Sequence, residues 1–316
     1  MSAFHIITFG CQMNRHDSDV LAGELERLGY EPAASPDEAD VVIFNTCAVR
    51  AHAEERLYSR IGTFAAECRR KPKLRVGVMG CVAQKEGEAL LRRFPHLSFV
   101  LGTRDMGRLP EMMERVTSGG DIPAAAVSTD ETARLLPVPS YEARLARPWS
   151  AQVTVMRGCD NFCSYCVVPH VQGREVSRPM EEVVEDARRL AGRGVTSIVL
   201  LGQNVDSYGK GLPGSPDLAR LLEQVCRVPG LRRVSFITNH PRDMSQRLIE
   251  TAAANPNVAP YIHVPPQAGS NRVLELMNRV YTKEQYIELV GRIRESIPGA
   301  GIAGDFIVGF PTESAE

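Results

Sequence analysis

Short apolar runs alternate, over about the first hundred residues, with segments in which apolar residues recur at helical spacing. Leu21, Leu25 and Leu28 show the helical period, and Gly29 follows them as a residue suited to a helix end. Apolar runs separated by helical segments predict a parallel sheet with crossover helices. We therefore expect an N-terminal doubly wound α/β domain. Its predicted strands are residues 5–9, 41–44, 76–79 and 98–101.

The segment 117–150 interrupts this pattern, because it has a Gly119-Gly120 pair, four prolines and little periodicity. Strands and helices alternate again beyond it, which predicts an open (β/α) partial barrel with its active site at the carboxyl ends of the strands. The predicted organisation is an α/β domain over 1–116, a linker over 117–150 and the barrel over 151–316. The barrel strands are expected at 152–156, 197–201, 233–237, 261–264 and 301–308, and the later helices near 217–226, 243–254, 270–278 and 283–295.

Three of the eight cysteines, Cys159, Cys163 and Cys166, lie in one loop with x3 and x2 spacing and form the compact triad. Three thiolates are one ligand short of a closed zinc site or a fully ligated four-iron cluster. Structural zinc is an alternative, although no second C-x2-C pair or histidine pair follows. Ferredoxin-type electron transfer needs a fourth cysteine before a proline, and residues 167–169 contain no cysteine. The favoured interpretation is a [4Fe–4S] cluster with one open iron.

A second group, Cys11, Cys47 and Cys81, is dispersed along the chain and forms the N-terminal triad. Each of its members follows an apolar run that is predicted to be a strand. The carboxyl ends of parallel strands lie along one edge of a sheet, so these thiols are expected to converge. One buried cysteine is usually inert packing, but three at equivalent positions indicate a second cluster site.

Composition and charge fit a cytoplasmic enzyme. The 316 residues are 43% hydrophobic and 24% charged, as in an ordinary soluble globular protein. We find no leader pattern and no apolar run near about 18 residues, so we expect neither secretion nor a membrane partner. Thiols in metal-type spacing indicate a reducing compartment. The net charge of −1 argues against bulk attraction to nucleic acid but does not exclude a local basic face. The 32 arginines against 5 lysines suit phosphate recognition, although a codon bias explains the ratio equally well and is the favoured explanation.

Polar side chains follow several of the predicted barrel strands. Gln203 and Asn204 follow one strand, and His263 and Gln267 lie at the end of another. Each could be ordinary turn chemistry, but together they lie along one predicted rim, and we take these four as candidate cofactor contacts. Asp305 and Gly309 are weaker candidates. The remaining cysteines, Cys68 and Cys226, lack ligand spacing and are expected to be structural.

The C-x3-C-x2-C loop, with the aromatic Tyr165 before its last cysteine, resembles the radical S-adenosylmethionine enzymes. Gly10-Cys11-Gln12-Met13-Asn14, Asn45-Thr46-Cys47 and Gly80-Cys81 resemble the methylthiotransferase branch of that family, and the resemblance covers essentially the whole chain. Within the branch, the segments closest to the tRNA-2-methylthio-dimethylallyladenosine synthases are Gly10 to Asn14, Tyr165 to Pro169, Glu175 to Pro179 and Leu200 to Val205. The positions that depart from the usual pattern are Pro266, Ala268 and His170-Val171-Gln172.

The resemblance implies a mechanism with two [4Fe–4S] clusters and S-adenosylmethionine. The compact triad is implied to hold the cluster that cleaves S-adenosylmethionine to a 5′-deoxyadenosyl radical, with Tyr165 near the cofactor adenine. The N-terminal triad is implied to hold an auxiliary cluster that carries the sulfur. Carbon 2 of an adenine has no useful acidity, so general acid–base catalysis cannot replace the radical.

The implied substrate is tRNA containing N6-isopentenyladenosine next to the anticodon, and the implied electron donor is a flavodoxin or ferredoxin. Alternative targets are threonylcarbamoyladenosine in tRNA and an aspartate of a ribosomal protein. We expect a monomer. The family pattern continues beyond Glu316 with a sixth strand and a small all-β RNA-binding domain called TRAM, so this sequence is expected to be a fragment.

Overall fold

The computed structural model describes residues 2–49, 51–117, 123–128, 145 and 147–314. The chain divides into two compact units. The N-terminal unit comprises residues 1–146 together with 170–173, and the C-terminal unit comprises residues 147–169 and 174–316.

The N-terminal unit is built on one parallel sheet of six strands in the order β2-β1-β3-β4-β5-β6. Its strands are β1 (Ala3–Phe9), β2 (Glu31–Pro32), β3 (Val41–Thr46), β4 (Arg75–Gly80), β5 (Phe99–Leu101) and β6 (Ala124–Ala126). Its helices are α1 (Gln12–Arg27), α2 (Ala51–Arg70), α3 (Cys81–Glu86), α4 (Glu88–Arg93) and α5 (Leu109–Thr117), with 3-10 turns at Pro36–Glu38 and Met106–Arg108.

Both faces of this sheet are covered by helices. Val41 and Ile43 of β3 pack on one face with apolar residues of α1 and α5. The alternate residues Val42 and Phe44 pack on the other face with residues of α2, α3 and α4. Successive side chains of a strand point to opposite faces, so a strand buried on both sides is apolar throughout. The predicted doubly wound parallel sheet is confirmed.

Two expectations for this region differ from the structure. The period of Leu21, Leu25 and Leu28 marks only the later part of the first helix, because α1 begins at Gln12 directly after Cys11. We placed residues 124–126 in a linker, but they form β6 and pair with β5. Three alanines carry little strand signal, and this edge strand is specified by its neighbour rather than by its own sequence.

The C-terminal unit contains a parallel three-stranded sheet in the order β11-β10-β7 and the parallel pair β12-β13. Its strands are β7 (Ser150–Thr154), β8 (Met156–Arg157), β9 (Val176–Ser177), β10 (Ser197–Leu201), β11 (Arg233–Phe236), β12 (Tyr261–His263) and β13 (Gly301–Ala303). Its helices are α7 (Met180–Gly192), α8 (Leu218–Cys226), α9 (Gln246–Ala254), α10 (Asn271–Leu276) and α11 (Lys283–Ser296), with a 3-10 turn at Val205–Ser207. A short helix, α6 (Val168–Gln172), begins in this unit and ends in the N-terminal unit.

The order β7, β10, β11, β12, β13 is that of an open (β/α) barrel. A parallel bridge between Val234 and Val258 continues the three-stranded sheet toward β12. The expected last strand to residue 308 is too long, because β13 ends at Ala303. Its partner β12 is followed by Pro265 and Pro266, which have no N–H to donate to a strand ladder. Among the described residues, no helix is long and apolar enough to cross a membrane.

Candidate functional site

The N-terminal triad lies at the carboxyl ends of three neighbouring strands. Phe9 at the end of β1 is opposite Thr46 of β3, and Thr46 is opposite Gly80 of β4. Cys11, Cys47 and Cys81 follow these strand ends, so the register alone brings them to one edge of the sheet. The expected convergence of the three cysteines is therefore observed.

The thiols of this triad interact directly. Cys11 and Cys47 share a hydrogen bond, which lowers the pKa of Cys11 to about 6 and raises the pKa of Cys47. Burial raises the pKa of Cys81 to about 11. In the metal-free protein the Cys11 thiolate accepts a hydrogen bond from the Cys47 thiol, and a bound cation would displace that proton, because metal ligands must be deprotonated.

A buried network of neutral side chains holds the first cysteine. The Asn14 carboxamide oxygen accepts a hydrogen bond from the backbone N–H of Cys11 at 3.2 Å and lies 3.3 Å from the Cys11 sulfur. The Asn14 amide donates to the Asn45 oxygen at 3.1 Å, and the Asn45 amide donates to the Asn14 carbonyl and to Ser18 at 2.8 and 2.9 Å. Asn14 and Asn45 are both buried, so this network fixes the Cys11 loop against β3.

Two glycines allow the strand ends to approach closely. A β-carbon at Gly10 would meet the Asn14 side chain and would lie 2.7 Å from the Cys47 β-carbon. A β-carbon at Gly80 would lie 2.5 Å from the Asn45 oxygen and 2.7 Å from the Thr46 carbonyl. Both glycines have positive φ, at 152° and 91°, which other residues rarely adopt.

Gln172 supplies a further contact that the sequence did not reveal. Its side-chain amide donates to the Cys81 sulfur at 3.3 Å, and it is buried. The preceding Val171 carbonyl accepts a hydrogen bond from Thr103 at 2.6 Å. These contacts belong to the 170–173 segment of the N-terminal unit.

The compact triad lies in the loop between β8 and α6. Cys159 and Cys163 are buried and Cys166 is half-buried, and the Cys166 N–H donates to the Cys163 carbonyl at 2.9 Å. Burial raises the pKa of Cys159 to about 11 and also raises that of Cys166. The loop bends at Phe162, which has a φ of 46°.

Charged side chains surround this loop. The Glu175 carboxylate accepts from the Asp160 N–H, and the Asp160 carboxylate accepts from the Glu175 N–H, both at 3.2 Å. Glu175 also pairs with Lys210 at 3.2 Å, and Asp160 pairs with Arg174 at 3.2 Å. Arg279 donates to the Cys163 sulfur at 3.3 Å.

The predicted cofactor contacts belong to the C-terminal unit but differ in their surroundings. Tyr165 is 37% exposed beside the triad, and burial of its other parts raises its pKa. Asn204 is buried, donates to Asp243 at 2.7 Å and has a carboxamide oxygen without a partner. Gln203 likewise has an unpartnered buried oxygen. His263 forms a hydrogen bond with Asp305 at 3.1 Å, so its side chain already has a partner. Gln267 has a φ of 66°, a backbone conformation that few non-glycine residues adopt.

Other residues near this region were not predicted. His240 is buried, and its Nδ1 accepts from the Arg242 N–H at 3.3 Å, so its Nε2 carries the proton. Within the described part of the chain this N–H has no partner. Burial, helped by Arg279, lowers the His240 pKa to about 3. The neutral ring is therefore a donor at physiological pH. The polar segment Thr238 to Pro241 follows β11, and that position could have identified His240 as a site residue. Its composition is also that of an ordinary turn, so nothing in the sequence was a reason to select it as a cofactor contact.

Cys68 and Cys226 lie away from both triads, in α2 and at the end of α8. Burial raises the pKa of both thiols. Both are free, half-buried cysteines, as expected of residues with a structural role.

The thiols of each triad are the donor type that an iron–sulfur cluster takes. Within the described ranges, no three Cys, His, Asp or Glu side chains surround a position for one metal ion. A mononuclear zinc needs all its ligands within about 2.3 Å of one point, whereas each thiolate of a four-iron cluster binds a different iron. Each triad offers three thiols, and the unpartnered atoms of Asn204, His240 and Arg279 provide polar groups near the compact triad.

Comparison with known proteins agrees with this geometry. Residues 3–102 match the family described as Uncharacterized protein family UPF0004, and residues 153–316 match the Radical SAM superfamily. The tRNA-2-methylthio-N(6)-dimethylallyladenosine synthase of Thermotoga petrophila is 49% identical over 313 residues, which cover 99% of this chain and 69% of that protein. The chain belongs to this family of radical SAM enzymes. The family resemblance inferred from the cysteine motifs is thereby confirmed.

Further members are similar over the same span. The synthase of Citrifermentans bemidjiense is 47% identical, covering 98% of this chain and 69% of that protein. The synthase of Dictyoglomus thermophilum is 43% identical, covering 100% of this chain and 71% of that protein. Membership in the radical SAM superfamily implies S-adenosylmethionine and one [4Fe–4S] cluster as cofactors.

Solved structures share the fold at low sequence identity. The radical S-adenosylmethionine methyltransferase TsrM from Kitasatospora setae has a TM-score of 0.64 at 17% identity, over 97% of this chain and 67% of that one. The cobalamin-dependent S-adenosylmethionine radical enzyme OxsB has a TM-score of 0.65 at 12% identity, over 97% of this chain and 49% of that one. These likenesses confirm the fold class alone.

Proposed function

We propose that this protein is a tRNA-modifying enzyme that replaces the hydrogen on carbon 2 of N6-isopentenyladenosine, next to the anticodon, with a methylthio group. The observation that carries the proposal is the pair of thiol triads, each gathered at strand ends of a separate unit. Sequence identity of 49% to a tRNA-2-methylthio-N(6)-dimethylallyladenosine synthase supports the substrate.

Cys159, Cys163 and Cys166 would hold the [4Fe–4S] cluster whose open iron takes S-adenosylmethionine. Cys11, Cys47 and Cys81 would hold a second, auxiliary cluster. When bound, these groups supply a 5′-deoxyadenosyl radical that removes the hydrogen atom, together with the sulfur and methyl group that replace it. The support for the second cluster is the shared edge of β1, β3 and β4 and the burial of Cys47 and Cys81.

The side chains near the compact triad can orient a polar cofactor. The His240 Nε2–H is a buried donor and the Asn204 carboxamide oxygen a buried acceptor, and neither has a partner among the residues that the structure describes. A buried polar group without a partner is costly, so these two atoms are available to bind the polar groups of a cofactor. Tyr165 presents a partly exposed aromatic face suited to stacking on an adenine. Gln203 is a further candidate, and His263 and Gln267 are weaker ones.

The partners of this activity follow from its chemistry. The substrate is tRNA containing N6-isopentenyladenosine, and the reducing electron comes from a flavodoxin or ferredoxin. The protein acts in the cytoplasm, where thiols stay reduced. The assignment of the auxiliary cluster to a domain over 1–116 and of the radical chemistry to 151–316 remains a prediction.

Nucleoside analysis tests the proposal directly. tRNA from a host that lacks its own synthase should contain N6-isopentenyladenosine and no methylthio derivative, and expression of this protein should restore the derivative. A Cys226→Ala variant should restore it equally well, because Cys226 lies outside both triads. A protein that leaves the tRNA unchanged but methylthiolates threonylcarbamoyladenosine or a ribosomal-protein aspartate would contradict the proposed substrate.

A further inference from the structure

A short segment after α10 is attached firmly to the cysteine loop. The Ser164 N–H donates to the Met277 carbonyl at 3.1 Å, and the Ser164 hydroxyl donates to the Leu276 carbonyl at 2.8 Å. From the other side, the Asn278 amide donates to the Phe162 carbonyl at 3.0 Å. These bonds join residues more than a hundred positions apart in sequence, and they hold Arg279 beside the compact triad.

The backbone on both sides of Arg279 is left-handed, and it is strained at Val280. Asn278 has a φ of 56° and Val280 a φ of 53°, and a β-branched residue very rarely adopts this conformation. Such strain persists only where the surrounding structure enforces it, and it is concentrated at functional sites. The segment therefore holds the Arg279 side chain in place at a conformational cost.

Arg279 is 4% exposed and has no carboxylate partner among the described residues. Its Nη1 donates to the Cys163 sulfur at 3.3 Å, its Nε donates to the Tyr281 hydroxyl at 3.2 Å, and its Nη2 has no partner. Arg178, which is equally buried, instead pairs with the Asp186 carboxylate at 3.1 Å. A buried charge without a counter-charge is strongly unfavourable, and an anionic group bound through the Cys163 sulfur would supply the negative charge that Arg279 lacks.

We propose that Arg279 is the counter-charge of the cluster held by the compact triad and that it sets the reduction potential of that cluster. This inference rests on the proposed role of Cys163 as a cluster ligand. Reduction adds one electron from the donor and breaks no bond, so the cluster becomes more negative by one charge. A guanidinium that donates to a ligand sulfur stabilises the more negative state and therefore raises the potential.

The experiment isolates this cluster in a parent variant in which Cys11, Cys47 and Cys81 are all replaced by alanine. Arg279→Gln, Arg279→Lys and Arg247→Gln are each added to that parent. Arg247 is a matched arginine of the same unit, because it is exposed and pairs with Asp217 at 3.0 Å. Each protein is reconstituted without oxygen, its iron is counted, and the reduced cluster is followed by electron paramagnetic resonance during a potentiometric titration.

We expect about four irons in every variant. In Arg279→Gln the ratio of reduced to oxidised cluster at a fixed potential should fall about tenfold, which corresponds to about 59 mV for a one-electron couple. Arg279→Lys retains the charge, so the ratio of reduced to oxidised cluster should fall much less. Arg247→Gln should have the same ratio as the parent. Four irons with the same potential in Arg279→Gln and Arg247→Gln would overturn the role of Arg279.

Two further outcomes are decisive. If Arg279→Gln does not retain four irons, Arg279→Lys provides the test. A reduction potential near that of the parent supports the counter-charge role of Arg279. A tenfold fall in the ratio of reduced to oxidised cluster, although lysine retains the charge, overturns that role. Absence of iron from the parent itself overturns the proposed function, and this inference with it.

Discussion

The two cysteine triads are supported by different chemistry. The N-terminal triad is held by two glycines and by the hydrogen-bonded side chains of Asn14 and Asn45, with the buried carboxyl group of Asp17 close enough to act on Cys11 and Cys81. The compact triad is surrounded by ionised groups, among them the Glu175–Lys210 pair and Arg279. Three thiols alone thus do not specify how a site behaves.

The difference follows from how each triad is assembled. Dispersed cysteines depend on the close approach of three strand ends, so small residues and fixed amides control their geometry. Clustered cysteines have their geometry built into one loop, so the surrounding side chains are free to supply charge. We therefore expect the N-terminal triad to respond most to steric change and the compact triad to charge and pH.

The largest effect should come from removing ligands. Replacing Cys159, Cys163 or Cys166 by alanine should abolish formation of 5′-deoxyadenosine, because the site that binds S-adenosylmethionine is lost. Replacing Cys11, Cys47 or Cys81 should leave 5′-deoxyadenosine formation intact but abolish the methylthio product. Both products are measured under strict anaerobiosis, with Cys68→Ala as the control. A variant of the N-terminal triad that methylthiolates at nearly the wild-type rate would refute the division of labour between the triads.

A steric change near the N-terminal triad should be almost as severe. Gly80→Ala places a methyl group 2.7 Å from the Thr46 carbonyl in a backbone conformation that alanine rarely adopts. The bound iron should fall from about eight to about four per chain, because only the auxiliary site is disturbed. Gly62→Ala is the matched control, since a β-carbon there meets nothing within 4 Å. Eight irons in Gly80→Ala would show that the strand ends tolerate separation.

Loss of the buried amide network should have a moderate effect on stability. Asn45→Ala removes two donated bonds and leaves the Asn14 amide without its acceptor. The free energy of local unfolding should fall by about 1–3 kcal/mol, as for other buried polar groups that lose their partners. Hydrogen exchange of the backbone amides of residues 41–46 in the metal-free protein measures this free energy of local unfolding. Asn255→Ala, which loses one bond to Thr251 in the other unit, should leave this exchange unchanged.

The smallest expected effect is a pH dependence confined to the C-terminal unit. Burial raises the pKa of Asp206 to about 7, although its carboxylate accepts from Asn239 and from the His240 N–H. The unfolded value is about 3.9. Between these values the folded state binds more protons than the unfolded state, so stability decreases as pH rises from about 4 to about 7.

Partial exposure of Asp206 reduces the size of this effect, and we expect about 1 kcal/mol between pH 5 and pH 8. Trp149, the only tryptophan, lies in the C-terminal unit and reports its unfolding by fluorescence. Asp206→Asn should flatten the dependence, since an amide does not titrate. An equal slope in wild type and Asp206→Asn would assign the pH dependence to another group.

The sequence by itself determined the parallel α/β architecture and the two candidate clusters. Runs such as Val41 to Phe44 are apolar at every position because both faces of the strand are buried, and that pattern is local. The spacing of Cys159, Cys163 and Cys166 is equally local. The convergence of Cys11, Cys47 and Cys81 could be predicted because parallel strands end at one sheet edge.

Only the tertiary structure decided what surrounds those cysteines. The bond from Gln172 to Cys81 spans 91 residues, and the bond from Arg279 to Cys163 spans 116. Neither residue lies in a pattern that periodicity or spacing can reveal. The strand β6 and the early end of β13 were not predicted for a related reason. Pairing with β5 specifies the alanines of β6, and the prolines that follow β12 limit its pairing with β13. Periodicity records which faces are buried, whereas pairings between distant side chains depend on packing that no local stretch of sequence encodes.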